Sequence, residues 1–440
     1  MKEFQTNFLN FEQSHFMSQF KFIHAADLHI ESPYKGVSQM NESLGKSLVE
    51  HGVKAYESLI QTALDEKVDF MLIAGDSFDS ESGSLSAQYR FVRGLERLNK
   101  AEIPVFIICG NHDPLKSWSK HLQLPENVIL FEADEVQQHT VIKNGVSLAE
   151  VYGVSFGEKE EFNPLAKKFK RNDKASFSIG LLHGTIAGND AHTPYCPFDL
   201  DTLRASNMDY WALGHIHKRE VISAQNPMVV YPGNIQGRHF NETGEKGCSL
   251  VTVENGSVVK NEFISLSDII YDYYDLDVNG MGGIGDFQNA INEIKSKLVA
   301  TRKSYLLRIR LKGKTDLHTV FSDHSEMESL TKDLNGENVY HDSFVFIDKF
   351  INESYPEIDL EARKQSSDFI ADLLMRFEEL ERDEKGSEIM IAKIMGEIST
   401  TKVGRELKNT DFEEEVHNEL QHLLTTAKWK CIDGLIKNER

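Results

Sequence analysis

The sequence has few cysteines and lacks any long hydrophobic run. Its four cysteines show none of the paired spacings of a disulfide framework or a zinc knuckle: Cys109, Cys196, Cys248 and Cys431. The longest apolar runs have the length of a single strand, which is too short to cross a bilayer. The N-terminus has no basic segment followed by an apolar one, so it does not resemble a signal peptide. These absences exclude a disulfide-stabilised secreted domain and predict a cytoplasmic protein without a membrane anchor.

Basic residues are outnumbered by acidic ones. The chain has 48 Lys and Arg against 69 Asp and Glu, which gives a formal net charge of -21. A free-standing nucleic-acid-binding protein usually carries an excess of basic residues, so the charge argues against that class. An enzyme that reaches nucleic acid through bound divalent ions and a local basic strip stays compatible with the charge.

The first half of the chain alternates short apolar segments with amphipathic ones. Strands are predicted over Phe20–Ala26, Phe70–Ala74 and Ile103–Cys109, with helices over 43–66 and 86–100 between them. This alternation indicates parallel strands with right-handed crossovers. Shorter β segments follow residue 125, and residues 247–265 predict a hairpin that turns at Asn255-Gly256. We expect an α/β fold with a two-layer β core flanked by helices.

Five short segments carry residues that can bind a metal, and each follows a predicted apolar strand. They are Asp27-Leu28-His29, Gly75-Asp76-Ser77-Phe78-Asp79, Gly110-Asn111-His112-Asp113, the run ending at His183-Gly184, and Gly214-His215-Ile216-His217. Ligands of open α/β sheets bind outside the carboxyl ends of the strands, so the first three segments share one edge. Each segment alone would fit an ordinary turn or a structural histidine. Together they offer more ligands than one ion can hold, which predicts a two-metal site that hydrolyses phosphate esters.

The spacing within the segments indicates several roles. Asp27 and His29 are two residues apart, as are His215 and His217, so each pair can face one side of an extended chain. Asp76 has two carboxylate oxygens and is predicted to bridge two cations.

Two further acidic residues in these segments are not expected to bind metal. Asp79 is expected to cap a turn or support a ligand. Asp113 is expected to orient His112 or to cap the turn before Pro114.

The five segments resemble, in full and in order, the D-x-H, G-D-x-x-[DH], G-N-H-[DE], H and G-H-x-H signature of the calcineurin-like metallophosphoesterases. The matching region covers about residues 20–265. Within that superfamily, His24–His29 followed by Ser32-Pro33, and the segment Tyr231–Arg238, are similar to SbcD-type DNA-repair exonucleases of a YhaO-like subgroup. The resemblance implies the metallophosphoesterase fold and a nuclease that acts in DNA repair.

The resemblance also implies a division of the ligands into two shells that share Asp76. One ion would be held by Asp27, His29, Asp76 and His217, and the other by Asp76, Asn111, His183 and His215. His112 would be the residue that acts in the transition state. Mixed imidazole, carboxylate and amide ligands suit Mn²⁺, Fe²⁺ or Zn²⁺ better than Mg²⁺, and the resemblance favours two Mn²⁺ ions. Arg238 and His239 follow a Pro-Gly turn and are expected to contact the substrate phosphate.

We expect four stretches along the chain. Residues 1–16 are predicted to be a disordered leader, because Met17 is a more natural start just before the first strand. Residues 17–267 would form the metallophosphoesterase catalytic domain. Residues 268–352 would form a small α/β domain that caps the site or binds substrate. Residues 353–440 would form a helical region whose apolar stripes pack within the protein or dock on a partner, as at Ile370, Leu373, Leu374, Phe377 and Leu380.

A phosphate-binding loop of the ATPase type is not found in the sequence. Gly45-Lys46-Ser47 resembles the end of that motif, but Met40 stands where its first glycine is required. Any dependence on ATP must therefore come from another chain. The resemblance implies DNA as one partner and, as another, a large coiled-coil ATPase of the SbcC type that docks on the C-terminal helices. A homodimer is a further expectation.

Two other functions stay open on the sequence alone. The acidic charge favours a phosphatase or a cyclic-nucleotide phosphodiesterase built on the same metal core, whereas the long C-terminal region and the YhaO-like segments favour the nuclease. A non-catalytic adaptor of an ATPase complex would keep the fold without the chemistry. The complete set of ligands argues against that adaptor, because an inactive site would be expected to lose some of them.

Overall fold

The structure is a computed structural model that describes residues 19–32, 42–79, 84–118, 123–188, 193–336, 343–366, 368–383 and 420–439, with single residues between 386 and 397. The chain divides into two compact units. The first comprises Met1–Asp272, Lys297–Leu306 and Glu337–Phe346, and the second comprises Tyr273–Ser296, Leu307–Gly336 and Ile347–Arg440. The predicted leader at 1–16 lies outside the described residues, and the other domain limits expected from the sequence stay predictions.

The first unit is built on two sheets. Its strands are β1 (Gln19–Ala25), β2 (Phe70–Ala74), β3 (Val105–Ile108), β4 (Val128–Leu130), β5 (Gln137–Lys143), β6 (Val146–Gly153), β7 (Ser178–His183), β8 (Tyr210–Gly214), β9 (Glu220–Ala224), β10 (Met228–Tyr231), β11 (Gly247–Glu254) and β12 (Ser257–Ser265). The first sheet has the order β12-β11-β1-β2-β3-β4, and the second has the order β5-β6-β7-β8-β10-β9. Strands β1 to β4 are parallel to one another, and so are β6, β7, β8 and β10.

A core of aromatic and aliphatic side chains lies between the two sheets. Phe22 of β1 stacks on Phe70 of β2 with ring centroids 5.0 Å apart, and it meets the ring edge of Tyr210 of β8 at 5.2 Å. All three side chains are buried. Burying a side chain of this size stabilises the fold by about 1.5–3 kcal/mol. The expected two-layer β core is thereby confirmed.

Helices cover the outer face of each sheet. Helix α1 (Glu42–Asp65) and helix α2 (Leu85–Lys100) pack on the first sheet, where Leu59, Phe91 and Ile73 belong to one buried cluster. Helix α3 (Leu200–Ala205) contributes Leu203 to the cluster on the second sheet. The amphipathic spacing thus predicted α1 and α2 to within one residue at each end.

The strand predictions were confirmed where the sequence was apolar on both faces. Phe70–Ala74 has the predicted limits, and every residue in it is buried. The predicted strand Ile103–Cys109 is shorter in the structure and ends at Ile108, because the Cys109 N–H donates to Ser155 Oγ at 3.0 Å. Strands β5 and β9 lie at the two edges of the second sheet and are largely polar, which explains why hydrophobic periodicity did not predict them.

A three-stranded sheet and several helices follow. The strands are β13 (Ile269–Asp277), β14 (Ser304–Thr315) and β15 (Val345–Pro356), in the order β13-β14-β15. The helices are α4 (Ile284–Val299), α5 (His318–Phe321), α6 (His324–Asn335), α7 (Leu360–Lys364), α8 (Phe369–Arg382) and α9 (Leu420–Glu439). No helix in the described ranges is long and apolar enough to cross a membrane.

The last two described helices pack against each other through apolar side chains. Ile370 and Leu374 of α8 share a buried cluster with Trp429 and Ile432 of α9. The apolar stripe that begins at Ile370 therefore packs within the protein along part of its length.

Candidate metal centre

The loops that follow β1 and β2 are joined by backbone hydrogen bonds. The Asp27 N–H donates to the Gly75 carbonyl and the His29 N–H to the Asp76 carbonyl, each at 3.0 Å. Asp27, His29 and Asp76 have φ values of 51°, 42° and 53°, and His215 after β8 has 99°. Residues with side chains rarely adopt this left-handed region, and such strain is typical of functional sites. The fold thus holds four predicted metal ligands in strained backbone.

His183 fits between the strand ends because two glycines, Gly75 and Gly110, lie against its imidazole. A Cβ atom on Gly75, whose φ is +89°, would lie 2.5 Å from His183 Nδ1. A Cβ on Gly110 would lie 2.7 Å from His183 Cε1. Both distances are shorter than any normal contact, so a larger residue at either position would displace the imidazole. The glycines of the G-D and G-N-H segments therefore make room for a histidine that comes from the opposite sheet.

Asp113 connects the loops after β2 and β3. Its buried carboxylate accepts the N–H groups of Gly110 at 2.7 Å, Ser77 at 2.8 Å and Asp76 at 3.0 Å. The structure therefore gives Asp113 the capping role that the sequence allowed. The other expected role, orienting His112, belongs to Asp79, whose Oδ1 lies 2.8 Å from His112 Nδ1.

The first group of ligand atoms comes from Asp27, His29 and His217, which lie within 4.8 Å of one another. The two Nε2 atoms of the histidines face each other at 3.1 Å. His29 Nδ1 lies 3.0 Å from Asp79 Oδ1, and His217 Nδ1 lies 2.6 Å from Glu242 Oε1. An ionised carboxylate only accepts, so both Nδ1 atoms carry the proton and both Nε2 atoms present lone pairs.

Two facing lone pairs repel each other unless a cation lies between them. The directions of the pKa shifts agree with that assignment of protons. Burial lowers the pKa of His29 to about 3 and also lowers that of His217, so both imidazoles are neutral near pH 7. Burial raises the pKa of Glu242, but hydrogen bonds from His217 and His239 outweigh it and lower the pKa overall. The first group therefore has the donor set and protonation state of a metal site.

A second group of ligand atoms meets around His183. Its Nδ1 donates to the Ala74 carbonyl at 2.9 Å, so its Nε2 presents a lone pair. That Nε2 lies 3.1 Å from Asn111 Oδ1 and 3.5 Å from Asp76 Oδ2, and both oxygens are acceptors. His215 Nδ1 also lies 3.1 Å from Asn111 Oδ1. The Nε2 lone pair of His183 thus faces two oxygen acceptors, an arrangement that a bound cation would stabilise.

Asp76 reaches both groups. Its Oδ2 lies 3.8 Å from His29 Nε2 in the first group and 3.5 Å from His183 Nε2 in the second. Asp27 also lies within 4.8 Å of Asp76 and His183, so it adjoins the second group as well. Burial raises the pKa of Asp27, and the neighbouring Asp76 carboxylate raises it further. Two cations would remove that repulsion between buried carboxylates.

His112 stands beside these groups, and its side chain is more exposed than those of His29, His183 and His217. Its N–H donates to Asp76 Oδ1 at 2.9 Å, and its side chain is 40% exposed. Burial lowers the pKa of His112, but the hydrogen bond to Asp79 and the charge of Asp76 outweigh it and raise the pKa. His112 is therefore suited to carry a proton at the edge of the site, whereas the buried histidines are suited to bind metal.

Glu242 is the functional residue that sequence reasoning missed. Its buried carboxylate accepts from His217 Nδ1, from the Arg238 N–H at 2.8 Å and from Asn234 Nδ2 at 2.8 Å. It also lies 3.2 Å from His239 Nε2. The only sequence signal was an acidic residue just after the segment that ends at Arg238, and no metal-binding motif contains it.

The two predicted phosphate contacts lie next to this network. Arg238 Nη1 is 3.5 Å from Asp79 Oδ2, and its Nε is buried without a hydrogen-bond partner in the part of the chain that the structure describes. His239 is 55% exposed. Arg238 is thus close to the site and has a buried donor available, whereas His239 lies at its border.

Comparison with known proteins places this chain in a family. A model described as calcineurin-like phosphoesterase matches residues 20–219. The chain belongs to the metallophosphoesterase family. A curated relative, the uncharacterized metallophosphoesterase YhaO of Bacillus subtilis (strain 168), is 36% identical over 344 residues, which cover 78% of this chain and 84% of the relative.

Solved structures with similar folds are much more distant. The protein TT1561 of Thermus thermophilus is 12% identical with a TM-score of 0.35, and the match covers 57% of this chain and 100% of that one. A dimetal phosphatase from Danio rerio is 12% identical with a TM-score of 0.31, and the match covers 56% and 99%.

The family and the site together define the chemistry. The chain is a metal-dependent phosphoesterase, a hydrolase whose site contains clusters of histidine and aspartate. A site for two metals is typical of the family, and the two groups of acceptors joined at Asp76 fit such a site.

Proposed function

We propose that this chain is a manganese-dependent DNA nuclease of the SbcD type that acts in DNA repair in the cytoplasm. The hydrolytic chemistry follows from the metal centre. The choice of a polymeric phosphodiester as substrate rests on one observation, a strip of basic side chains along helix α2 whose first residue, Arg90, pairs with Glu31 in the loop that carries His29.

The basic strip consists of four exposed residues on one face of α2. Arg90, Arg93, Arg97 and Lys100 follow one another at intervals of three and four residues, which places them in a row about 15 Å long. Arg90 begins the row, and its Nε lies 3.0 Å from Oε1 of Glu31, two residues after His29.

The same side chains line a cavity of about 220 Å³ between α1 and α2, together with Glu57 and Glu96. Basic residues thus outnumber acidic ones there, in a chain whose net charge is -21. Such a row suits the phosphates of a strand whose scissile bond lies at the metals.

The residues of the centre divide the catalytic work. Bound divalent ions would supply Lewis-acid activation of the phosphodiester and of the attacking water. Asp27, His29 and His217 would hold one ion, and Asn111, His183 and His215 the other, with Asp76 between them. Four imidazoles, two carboxylates and one amide suit Mn²⁺, Fe²⁺ or Zn²⁺ better than Mg²⁺.

His112 and Arg238 would act on the substrate itself. His112 would protonate the leaving oxygen, with Asp79 fixing its ring through the 2.8 Å contact at Nδ1. The guanidinium of Arg238, which is 20% exposed, would donate to a non-bridging phosphate oxygen. His239, which shares Glu242 with His217, would contact a neighbouring phosphate.

The partners of the nuclease are part of the same proposal. The helical C-terminal region would dock an SbcC-type coiled-coil ATPase. Helix α8 supports this because it packs one face on α9 and leaves Met375 46% exposed on another. Assembly into a homodimer stays a prediction.

A panel of substrates tests the proposal. The purified chain is loaded with Mn²⁺ and assayed on linear duplex DNA, single-stranded DNA and small phosphoesters, with parallel samples in Fe²⁺, Zn²⁺ and Mg²⁺. We expect DNA to be cut, fastest with Mn²⁺. Turnover confined to small phosphoesters would overturn the nuclease and favour a phosphatase or cyclic-nucleotide phosphodiesterase, which the acidic net charge also suits. Two bound metals without turnover of any substrate would favour the adaptor of an ATPase complex.

A further inference from the structure

A row of rings extends from the metal centre to the surface on the side of His215. The ring centroids of His183 and His215 are 5.2 Å apart. Tyr195 meets His215 at 5.8 Å with an angle of 81° between the rings, and Phe162 stacks on Tyr195 at 5.5 Å with an angle of 29°. Phe162 ends the row and is 55% exposed. An aromatic surface thus begins one ring away from a predicted metal ligand.

Backbone hydrogen bonds fix the two loops that carry these rings. The Tyr195 carbonyl accepts the N–H of Thr185 at 2.9 Å, two residues after His183. The Cys196 N–H donates to the Glu161 carbonyl at 2.6 Å, which joins the loop of Tyr195 to the loop of Phe162. The pair therefore stands ready before any ligand arrives, so little conformational entropy would be lost when a flat molecule binds there.

The surroundings of His217, the other histidine of the G-H-x-H segment, have a different chemistry. There His217 is surrounded by Glu242, Arg238 and His239, which are charged or polar. A nucleotide has the same two-sided character, because a charged phosphate is joined to a flat aromatic base. Every base offers a π-face, so an exposed aromatic pair can bind bases without selecting among them.

We propose that Phe162 and Tyr195 form a stacking platform for the nucleobase that adjoins the scissile phosphate. This inference rests on the proposed nuclease function and specifies its substrate. A base can stack on the platform only after it leaves its own helix, so the platform selects unpaired nucleotides at ends, gaps or single strands. A phosphate ester without a base would gain nothing from these rings.

Binding of a strand with bases and of a strand without them tests the platform directly. The strands are an oligothymidylate and an abasic strand of equal length, so that charge and phosphate count are matched. The background is His112→Asn loaded with Mn²⁺, which we expect to bind the strands without cutting them. Dissociation constants come from fluorescence anisotropy of a labelled strand at fixed salt.

We expect the oligothymidylate to bind about 5- to 100-fold more tightly than the abasic strand. Phe162→Ala should bring that ratio close to one and leave the affinity for the abasic strand unchanged. Phe162→Trp should restore the ratio, which shows that the aromatic face matters rather than the phenylalanine. Phe369→Ala, a change of an exposed phenylalanine at the start of α8, should keep the full ratio.

Two outcomes would overturn the platform: equal binding of both strands, or a ratio that survives Phe162→Ala. Cleavage by the unaltered chain is measured separately. Cleavage of DNA together with equal binding would overturn the platform and support the nuclease. The expected ratio without any cleavage of DNA would support the platform and overturn the nuclease.

Discussion

The ligand atoms of the metal centre and the side chains at its border differ in how the fold fixes them. Asp27, Asp76 and His183 are almost fully buried, and other protein groups hold each of them through hydrogen bonds. Arg238 and His112 keep 20% and 40% of their side chains exposed. Changes in the centre should therefore alter metal binding and folding together, whereas changes at the border should alter rate and substrate choice in a folded, metal-loaded protein.

The sharpest test of this difference is His112→Ala. Loss of a positioned acid should lower kcat about 10²- to 10⁴-fold. Metal content, measured by elemental analysis of the dialysed protein, should equal that of the unaltered chain, because His112 is at the border. A variant that lost its metal would show that His112 belongs with the ligands.

Glu242→Gln should weaken metal binding, although Glu242 itself is not a metal ligand. The amide oxygen keeps the shape but loses the charge that fixes His217, so metal affinity should fall about 10- to 100-fold. Titration with Mn²⁺ by calorimetry measures it. Glu150→Gln is the matched control, since Glu150 is also buried but bonds to Tyr152 and Asn172 in the second sheet. Equal losses in both variants would contradict a specific role for Glu242.

Asp79→Asn should shift the pH dependence of the reaction, which is measured at saturating Mn²⁺ because Asp79 also supports the ligand His29 through the 3.0 Å contact at Nδ1. Asp79 raises the pKa of His112, and a rate that needs protonated His112 falls as pH rises through that pKa. Removing the carboxylate lowers the pKa, so this loss of rate should begin at a lower pH. The measurement is kcat between pH 5 and pH 9, a range of about two units on either side of neutrality. Asp69→Asn, at an ion pair with Lys143, should keep the original profile.

The smallest effect is expected at the basic strip. Arg97→Gln should weaken DNA binding a few-fold and reduce the slope of log affinity against log salt by about 0.7 to 0.9, since one phosphate contact is lost. Turnover of a small phosphoester should not change. Lys260→Gln, on the exposed strand β12, is the matched control and should leave the slope as it is. An unchanged slope in Arg97→Gln would place the DNA elsewhere.

The sequence was most informative about features that depend only on neighbouring residues. The apolar strands, the amphipathic helices and the ligand types at strand ends all follow from nearby residues, so each could be predicted without knowledge of the sheet order. The structure brings Asp27, His29, Asp76, Asn111, His183, His215 and His217 together at the ends of strands from both sheets, and their role as metal ligands stays a prediction.

Roles that depend on long-range contacts could not be predicted in the same way. Glu242 supports His217 from 25 residues away along the chain, and no local pattern marks that pairing. Asp79 and Asp113 are both acidic and both follow ligands, so only the loop geometry shows that Asp79 binds His112 and Asp113 binds backbone amides. The edge strands β5 and β9 pair with the next strands along the chain, β6 and β10, but their own residues are largely polar and gave no apolar pattern.

The left-handed backbone at Asp27, His29, Asp76 and His215 has a consequence for engineering this protein. Glycine tolerates that backbone at no steric cost, so replacing any of these residues with glycine would relax the chain. The same replacement would delete a ligand. A screen for more stable variants must therefore also score metal content, because any variant that gains from a relaxed backbone at these positions has lost a ligand.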